Sequence, residues 1–346
     1  MPEAVGSSSA SPGALRQQGT QAGFPLWGGP LFHRGPIKTG LAVLLAGLLA
    51  ALPLLAGPAD ALASRAGRSQ PAGHKAGFGA AEAAEAADPA LREELARIAG
   101  EFTASVTAKT LARFGNKAGK RRLDLLAAPS RQYRDQLRAD ALARLRNAGA
   151  DLAVSQFFVY ADRNPATQLV FLAFFDAAGQ TVRLLGADFI SSGKLRAGDD
   201  SFITPVGVFE NLPENWGYRA EGTKNAKGWR GLGAKGSRVW DFGFQQAPRQ
   251  FRQGVYDSQM RLLMHATDPD QGEPRLGCPD SKGCVRVSAA ANAFFDRHSI
   301  LDRHYEEIAS AEKDREMWLL RTDREPVAHP GSYLVVGDSS ITSASR

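Results

Sequence analysis

The apolar positions of the chain change texture twice along its length. Between Gly40 and Gly57 they are almost continuous (LAVLLAGLLAALPLLA). From Leu91 to Leu145 they recur at helical spacing: Leu91, Leu95, Ile98 and Phe102 form one stripe, and Tyr133, Leu137, Ala141 and Leu145 form another. Asp88-Pro89 supplies an N-cap and a first-turn proline for the first helix. Ser130 opens the second and Gly149 stops it. The residues between the two helices, Lys117 to Arg122, read as a basic turn. From Val154 onward the runs are short, β-branched and aromatic: 157–160, 168–175, 181–185, 189–193, 204–209, 239–244, 260–265, 317–321 and 333–336, parted by turn signals such as Asn164-Pro165. Many short strands predict a mostly β domain, a sandwich or a partly closed barrel. One helix, Ser288 to Arg297, follows the cysteine-containing stretch, and a small helical segment precedes the domain. There is no βαβ alternation to suggest a dinucleotide-binding fold.

The first apolar stretch has a different destination. Arg34 and Lys38 precede it and Ala61-Leu62-Ala63-Ser64 follows, which is the layout of a secretory signal cleaved after Ala63. The competing reading is a retained single anchor. The run is about 16 residues and contains Pro53, against the ~20 residues of a spanning helix. The expected organisation is therefore a leader and signal over 1–63, an Ala/Gly/Ser-rich linker over 64–87, a helical segment over 88–150, a β-rich domain over 151–338 and a tail over 339–346. The helical segment has two readings, an interaction module or a layer packed on the next domain. Export places the protein in a periplasm or cell envelope, with membrane contact only through the signal before cleavage.

The chain has 346 residues, 43% hydrophobic, with a net charge of +6. That charge suits a polyanionic envelope, but no basic stripe interleaved with aromatics points to nucleic acid. The two cysteines, Cys278 and Cys284, are too few for a disulfide scaffold and lack the further ligands of a zinc site. No metal or other cofactor is expected, and thiolate acyl transfer needs none.

What the two cysteines do offer is a nucleophile. Gly283 before Cys284 allows a positive φ and a close substrate approach. Lys282 and Arg286 add positive charge, and the helix from Ser288 aims its positive end at the same place. The backbone N–H groups of Gly283 and Cys284 are candidate oxyanion donors. Of the six histidines, only His265 ends an apolar strand at the border of a polar loop close to this cysteine, where it can act as general base. Cys278 is either a small buried residue or a resolving thiol that closes a disulfide with Cys284.

His265-Ala-Thr, Gly277 and Ser281-x-Gly283-Cys284-Val285-Arg286 together resemble the catalytic signature of the L,D-transpeptidases, exported cysteine enzymes that remodel peptidoglycan. Ser191-Ser192-Gly193 and Thr204-Pro205-Val206-Gly207-Val208-Phe209 resemble a second stretch of that domain. The resemblance covers roughly 151–338. It implies Cys284 as nucleophile, His265 as base, the carbonyl of Ala266 as the group that orients the ring, and Ser281 and Arg286 as residues shaping contacts with the acyl donor. It also implies peptidoglycan peptide stems as partners and 3→3 crosslinking as the reaction. Hydrolysis at the same site (an L,D-carboxypeptidase or a lipoprotein-releasing hydrolase) and a non-catalytic wall-binding module are the alternatives. Two positions depart from the family pattern: Lys282 stands where it usually has His, which bears on substrate contacts, and Ala266 where it often has Gly.

Overall fold

The computed structural model describes residues 77–115, 120–196, 200–312 and 317–341. The leader, the signal segment, most of the linker and residues 342–346 lie outside the described residues. Everything described belongs to one compact unit, Arg68–Arg346.

Five strands form the first sheet: β1 (Gln156–Asp162), β2 (Leu169–Asp176), β3 (Thr181–Phe189), β4 (Gly207–Glu210) and β9 (Tyr333–Gly337), in the order β3-β2-β1-β9-β4. β1 to β3 are an antiparallel meander, while β9 returns from the far end of the chain to lie parallel to β1. A second sheet has the order β5-β6-β7-β8, from β5 (Tyr218–Arg219), β6 (Arg238–Phe251), β7 (Gly254–Ala266) and β8 (Val285–Val287). β6 and β7 are an antiparallel hairpin, and β8 runs parallel to β7.

Every residue of β1 and β2 is buried, so the first sheet is covered on both faces, and its continuous apolar runs are what such burial requires. Alternation sorts the side chains. Phe157, Val159 and Ala161 join a core shared with Trp240, Leu262, Met264, Val285 and Val287 of the second sheet. Phe158 and Tyr160 face the opposite way, into a core with Leu137, Ala141 and Leu145 of a helix.

The helices are α1 (Phe78–Ala84), α2 (Pro89–Phe102), a π-turn (Thr103–Thr107), α3 (Ala108–Phe114), α4 (Lys120–Ala127), α5 (Arg131–Asn147), α6 (Ala289–Arg297) and α7 (Arg303–Ala311). Asp88 caps α2 by accepting from the N–H groups of Ala90 and Leu91, and Ser130 caps α5 through Tyr133 N–H. The α2 stripe enters the inter-sheet core, where Phe102 meets Phe294 edge-on at 5.0 Å and stacks on Phe295 at 5.9 Å. Thr107 Oγ1 donates to Ala187 O at 2.7 Å and ties the same segment to β3. The segment 88–150 is thus a layer of this unit and shares both of its cores.

Several expectations need correction. Helix occupies 32% of the described residues and strand 27%, and neither sheet closes into a barrel, so the chain as a whole is two mixed sheets with helices, five of which precede residue 150. Residues 78–84, expected in a linker, are helical, with Glu82 buried under Arg134 and Arg138. Within the expected basic turn, Lys120 opens a helix. Residues 317–321 are turns, not a strand; Leu319 and Leu320 pack on Tyr305 instead of pairing in a sheet.

Phe102→Ala removes a ring from a filled core and is expected to cost about 3–5 kcal/mol of stability. Urea unfolding measures this, and a loss below about 1 kcal/mol would contradict the packing of α2 in the inter-sheet core.

Candidate active site

The register of β7 against β8 builds the site. Met264 pairs with Val285 and His265 with Arg286. Met264 and Val285 are fully buried in the inter-sheet core, so alternation sends Leu263, His265, Cys284 and Arg286 to the other face. Across β6, Val239 pairs with His265 and Asp241 with Leu263, and Tyr218 of β5 pairs with Val239. His265 and Cys284 are therefore diagonal neighbours on one face, a backbone separation of about 7–8 Å by strand geometry.

His265 is 3% exposed. Its Nδ1 lies 2.6 Å from the carbonyl oxygen of Ala266, the contact that the resemblance implies. A carbonyl only accepts, so Nδ1 carries the proton and Nε2 keeps its lone pair. Burial drives the imidazole pKa down to about 4, with Arg286 acting in the same direction against the Ala266 bond. At neutral pH the ring is uncharged.

Cys284 is partly exposed. Burial of its surroundings pushes the thiol pKa up; the N–H of Leu263 and the charge of Arg286 pull it down, and buried Asp241 raises it again. Burial wins, so the resting group is a thiol. The helix contribution is corrected. Ser288 caps α6 and donates to Asp188 Oδ2 at 2.5 Å, while Ala289 N–H donates to Glu273 Oε1 at 2.7 Å. The positive end of α6 thus meets two carboxylates rather than the thiol. Asp188 is fully buried, and burial lifts its pKa to about 6 against the opposing bonds from Ser288 and Thr110.

The cysteine loop is pinned by two buried hydroxyls. Ser281 Oγ accepts from Gly283 N–H at 3.0 Å and donates to Cys284 O at 2.6 Å. Thr204 Oγ1 accepts from Gly193 N–H at 2.8 Å and donates to Gly283 O at 2.7 Å. Ser191 and Arg286 exchange backbone hydrogen bonds at 2.9 and 3.0 Å. The three separated motifs, around Ser191, Thr204 and Ser281, meet here. Ser281 is fully buried and braces the loop through its bonds to Gly283 and Cys284. Gly283 has φ +132, and a Cβ there would sit 2.8 Å from Met260 Cε and 3.1 Å from Phe202 Cβ. Its missing side chain makes room for packing rather than for substrate. Its N–H is engaged by Ser281, so of the two expected oxyanion donors Gly283 already has a partner.

Lys282 and Cys278 are exposed. Cys278 is not the small buried residue of one reading: its Sγ accepts from Arg122 Nη1 of α4 at 3.0 Å, and both thiols are free. Sequence reasoning missed Asp241 and Tyr218, which no motif marks, and read Thr204 only as part of a string. It also missed Asp280, Arg196 and Arg275. Their signal was faint, a single carboxylate two residues from Lys282 among widely separated arginines. Among the described residues no group of three or more His, Cys, Asp or Glu side chains is placed to hold a metal, and no helix is long and apolar enough to cross a membrane. Two surface cavities, of about 400 Å³ beside Arg138 and Arg183 and about 660 Å³ beside Arg303 and His329, contain neither His265 nor Cys284.

No family model matches the chain, and no curated protein matches it.

The buried neutral ring gives a stability signature. The unfolded chain protonates His265 near its ordinary value of 6.5, whereas the folded chain holds it unprotonated down to about 4. Stability from this residue is therefore complete above pH 6.5 and is lost as pH falls toward 4. The difference in unfolding free energy between the native chain and His265→Gln should grow by about 3 kcal/mol from pH 4 to 6.5 and then level off. A difference that is flat across this range in urea titrations would show that the imidazole is not held neutral.

Proposed function

We propose that the chain is an acyltransferase of the L,D-transpeptidase kind, with Cys284 as nucleophile and His265 as general base. The observation that carries this reading is the Nδ1 contact to Ala266 O. It fixes the tautomer whose free Nε2 can take a proton, on the sheet face that also bears the thiol. A neutral thiol beside a neutral imidazole suits deprotonation during attack rather than a standing ion pair.

The reaction then follows from the groups available. As Cys284 Sγ attacks the carbonyl of the third residue of a tetrapeptide stem, its proton passes to His265 Nε2. The developing imidazolium is stabilised by Ala266 O. The oxyanion meets the backbone N–H of Cys284, held in place by the Ser281 and Thr204 braces. Collapse of the intermediate expels D-alanine, whose nitrogen takes the proton from His265, and leaves a thioester on Cys284. An amine of a second stem attacks the thioester, again giving its proton to His265, and the 3→3 crosslink leaves the thiol restored. Water in place of the amine gives hydrolysis at the same site. Export to the cell envelope completes the proposal, through the signal segment outside the described residues.

Muropeptide profiles of a transpeptidase-free host expressing the chain test the reading. New 3→3 dimers are expected, and they should disappear with Cys284→Ala. Tripeptides accumulating without dimers would establish hydrolysis instead. A Cys284→Ala chain that retained the full wall phenotype would make it a binding module and overturn the proposal.

A further inference from the structure

Next to the cysteine loop, three arginines converge on one carboxylate. Asp280 Oδ1 accepts from Arg196 Nη2 at 2.6 Å and from Arg275 Nη2 at 2.9 Å, and its Oδ2 lies 3.7 Å from Arg286 Nη1. Arg196 Nη2 and Arg286 Nη1 also donate to the Asp280 carbonyl at 2.8 and 3.1 Å, and Arg196 Nη1 to Ser281 O at 3.3 Å. Three guanidiniums against one carboxylate leave a local surplus of two positive charges, with exposed Lys282 alongside.

The arginines come from separate parts of the chain. Arg196 follows the Ser191-Ser192-Gly193 string. Arg275 closes the short turn Glu273–Arg275 and is held over the ring of Trp229 at 5.4 Å. Arg286 lies in β8 on the face of the thiol. Each guanidinium has five N–H donors, yet together they make only five hydrogen bonds among the described residues. Arg275 is 53% exposed at its side chain and Arg196 28%, so the unused donors are reachable from solvent. Arg196 alone makes three of these five bonds to the loop. Gathering three arginines sets like charges against each other: burial is the main cause that depresses the pKa of Arg286; Asp280 and Cys284 oppose it, and Arg196 and Arg275 add to it. A second carboxylate arriving beside Asp280 would relieve that repulsion, and the forked guanidinium geometry is suited to hold it.

We propose that Arg196, Arg275 and Arg286 form an anion subsite beside Cys284 that receives a carboxylate of the acyl donor. The proposal rests on Cys284 being the nucleophile, and the test separates the two. In a Cys278→Ser chain, Cys284 is alkylated with anionic iodoacetate and with neutral iodoacetamide. The ratio of the two second-order rates is compared with that of a cysteine in a short peptide. A ratio about tenfold above the peptide's is expected, the low end of what a focused field gives. It should fall with added NaCl in the otherwise unaltered chain, which needs no further variant, and collapse toward the peptide value in Arg196→Gln/Arg275→Gln. Peptide donors amidated at one carboxylate at a time then assign the group bound, as the one whose loss raises KM and removes its salt dependence. A rate ratio equal to the peptide's and indifferent to salt and to both substitutions overturns the subsite while leaving Cys284 a nucleophile. Failure of both reagents at Cys284 overturns both.

Discussion

The parallel pairing of β7 and β8 is the constraint on which the site depends. Met264 and Val285 sit opposite each other and bury their side chains between the two sheets. Because strand side chains alternate, that single buried pair decides that His265 and Cys284 face away from the inter-sheet core together. A slip of one residue would turn His265 into the core and Met264 out of it, exchanging a satisfied apolar contact for a buried imidazole. The register is locked from the other side by the Ser191–Arg286 backbone pair, and the loop before β8 by Ser281 and Thr204. The chain thus devotes an apolar core, one two-bond bridge and two buried hydroxyls to placing one thiol.

The same packing sets the electrostatics. Positive groups stand near Cys284, and simple counting of charges predicts a thiolate. The structure reverses that result because desolvation outweighs the Arg286 field, Asp241 adds to it, and the α6 N-terminus is occupied by Glu273 and Asp188. The imidazole is held neutral by the same burial. A site of this kind keeps its thiol protonated at rest, which slows adventitious oxidation. In the proposed reaction the charge is created only when an acyl donor is in place, and the proposed arginine subsite would help bring that donor there.

The sequence made much of this legible, but unevenly. Capping at Asp88 and Ser130 is local chemistry, and α2 and α5 start where it says they should. The runs in β1, β2, β3 and β9 are apolar enough to announce themselves. The outer half of the β6–β7 hairpin is not: of residues 245–250 only Ala247 reaches the inter-sheet core, so Gln245, Gln246, Arg249 and Gln250 carry no strand period. Leu319 and Leu320 gave the opposite error, since an apolar pair packs as well on Tyr305 as in a sheet. At the site, the residues with chemical names, Cys284 and His265, stood out in the sequence. The partners that set their charge states did not. Asp241 is an ordinary aspartate until β6 aligns it with Leu263, and the burial that lowers His265 is a property of the assembled sheets.

The central claim is that Cys284 acts as an acyl acceptor with His265 as its base. Intact-protein mass spectrometry after incubation with a carbapenem, an acylating analogue of the stem's terminus, tests it most directly. The account predicts one adduct, mapped to Cys284, absent in Cys284→Ala and formed about 10²–10⁴ times more slowly in His265→Gln. An adduct on Cys278, or one that forms at Cys284 at an undiminished rate without the imidazole, would contradict it.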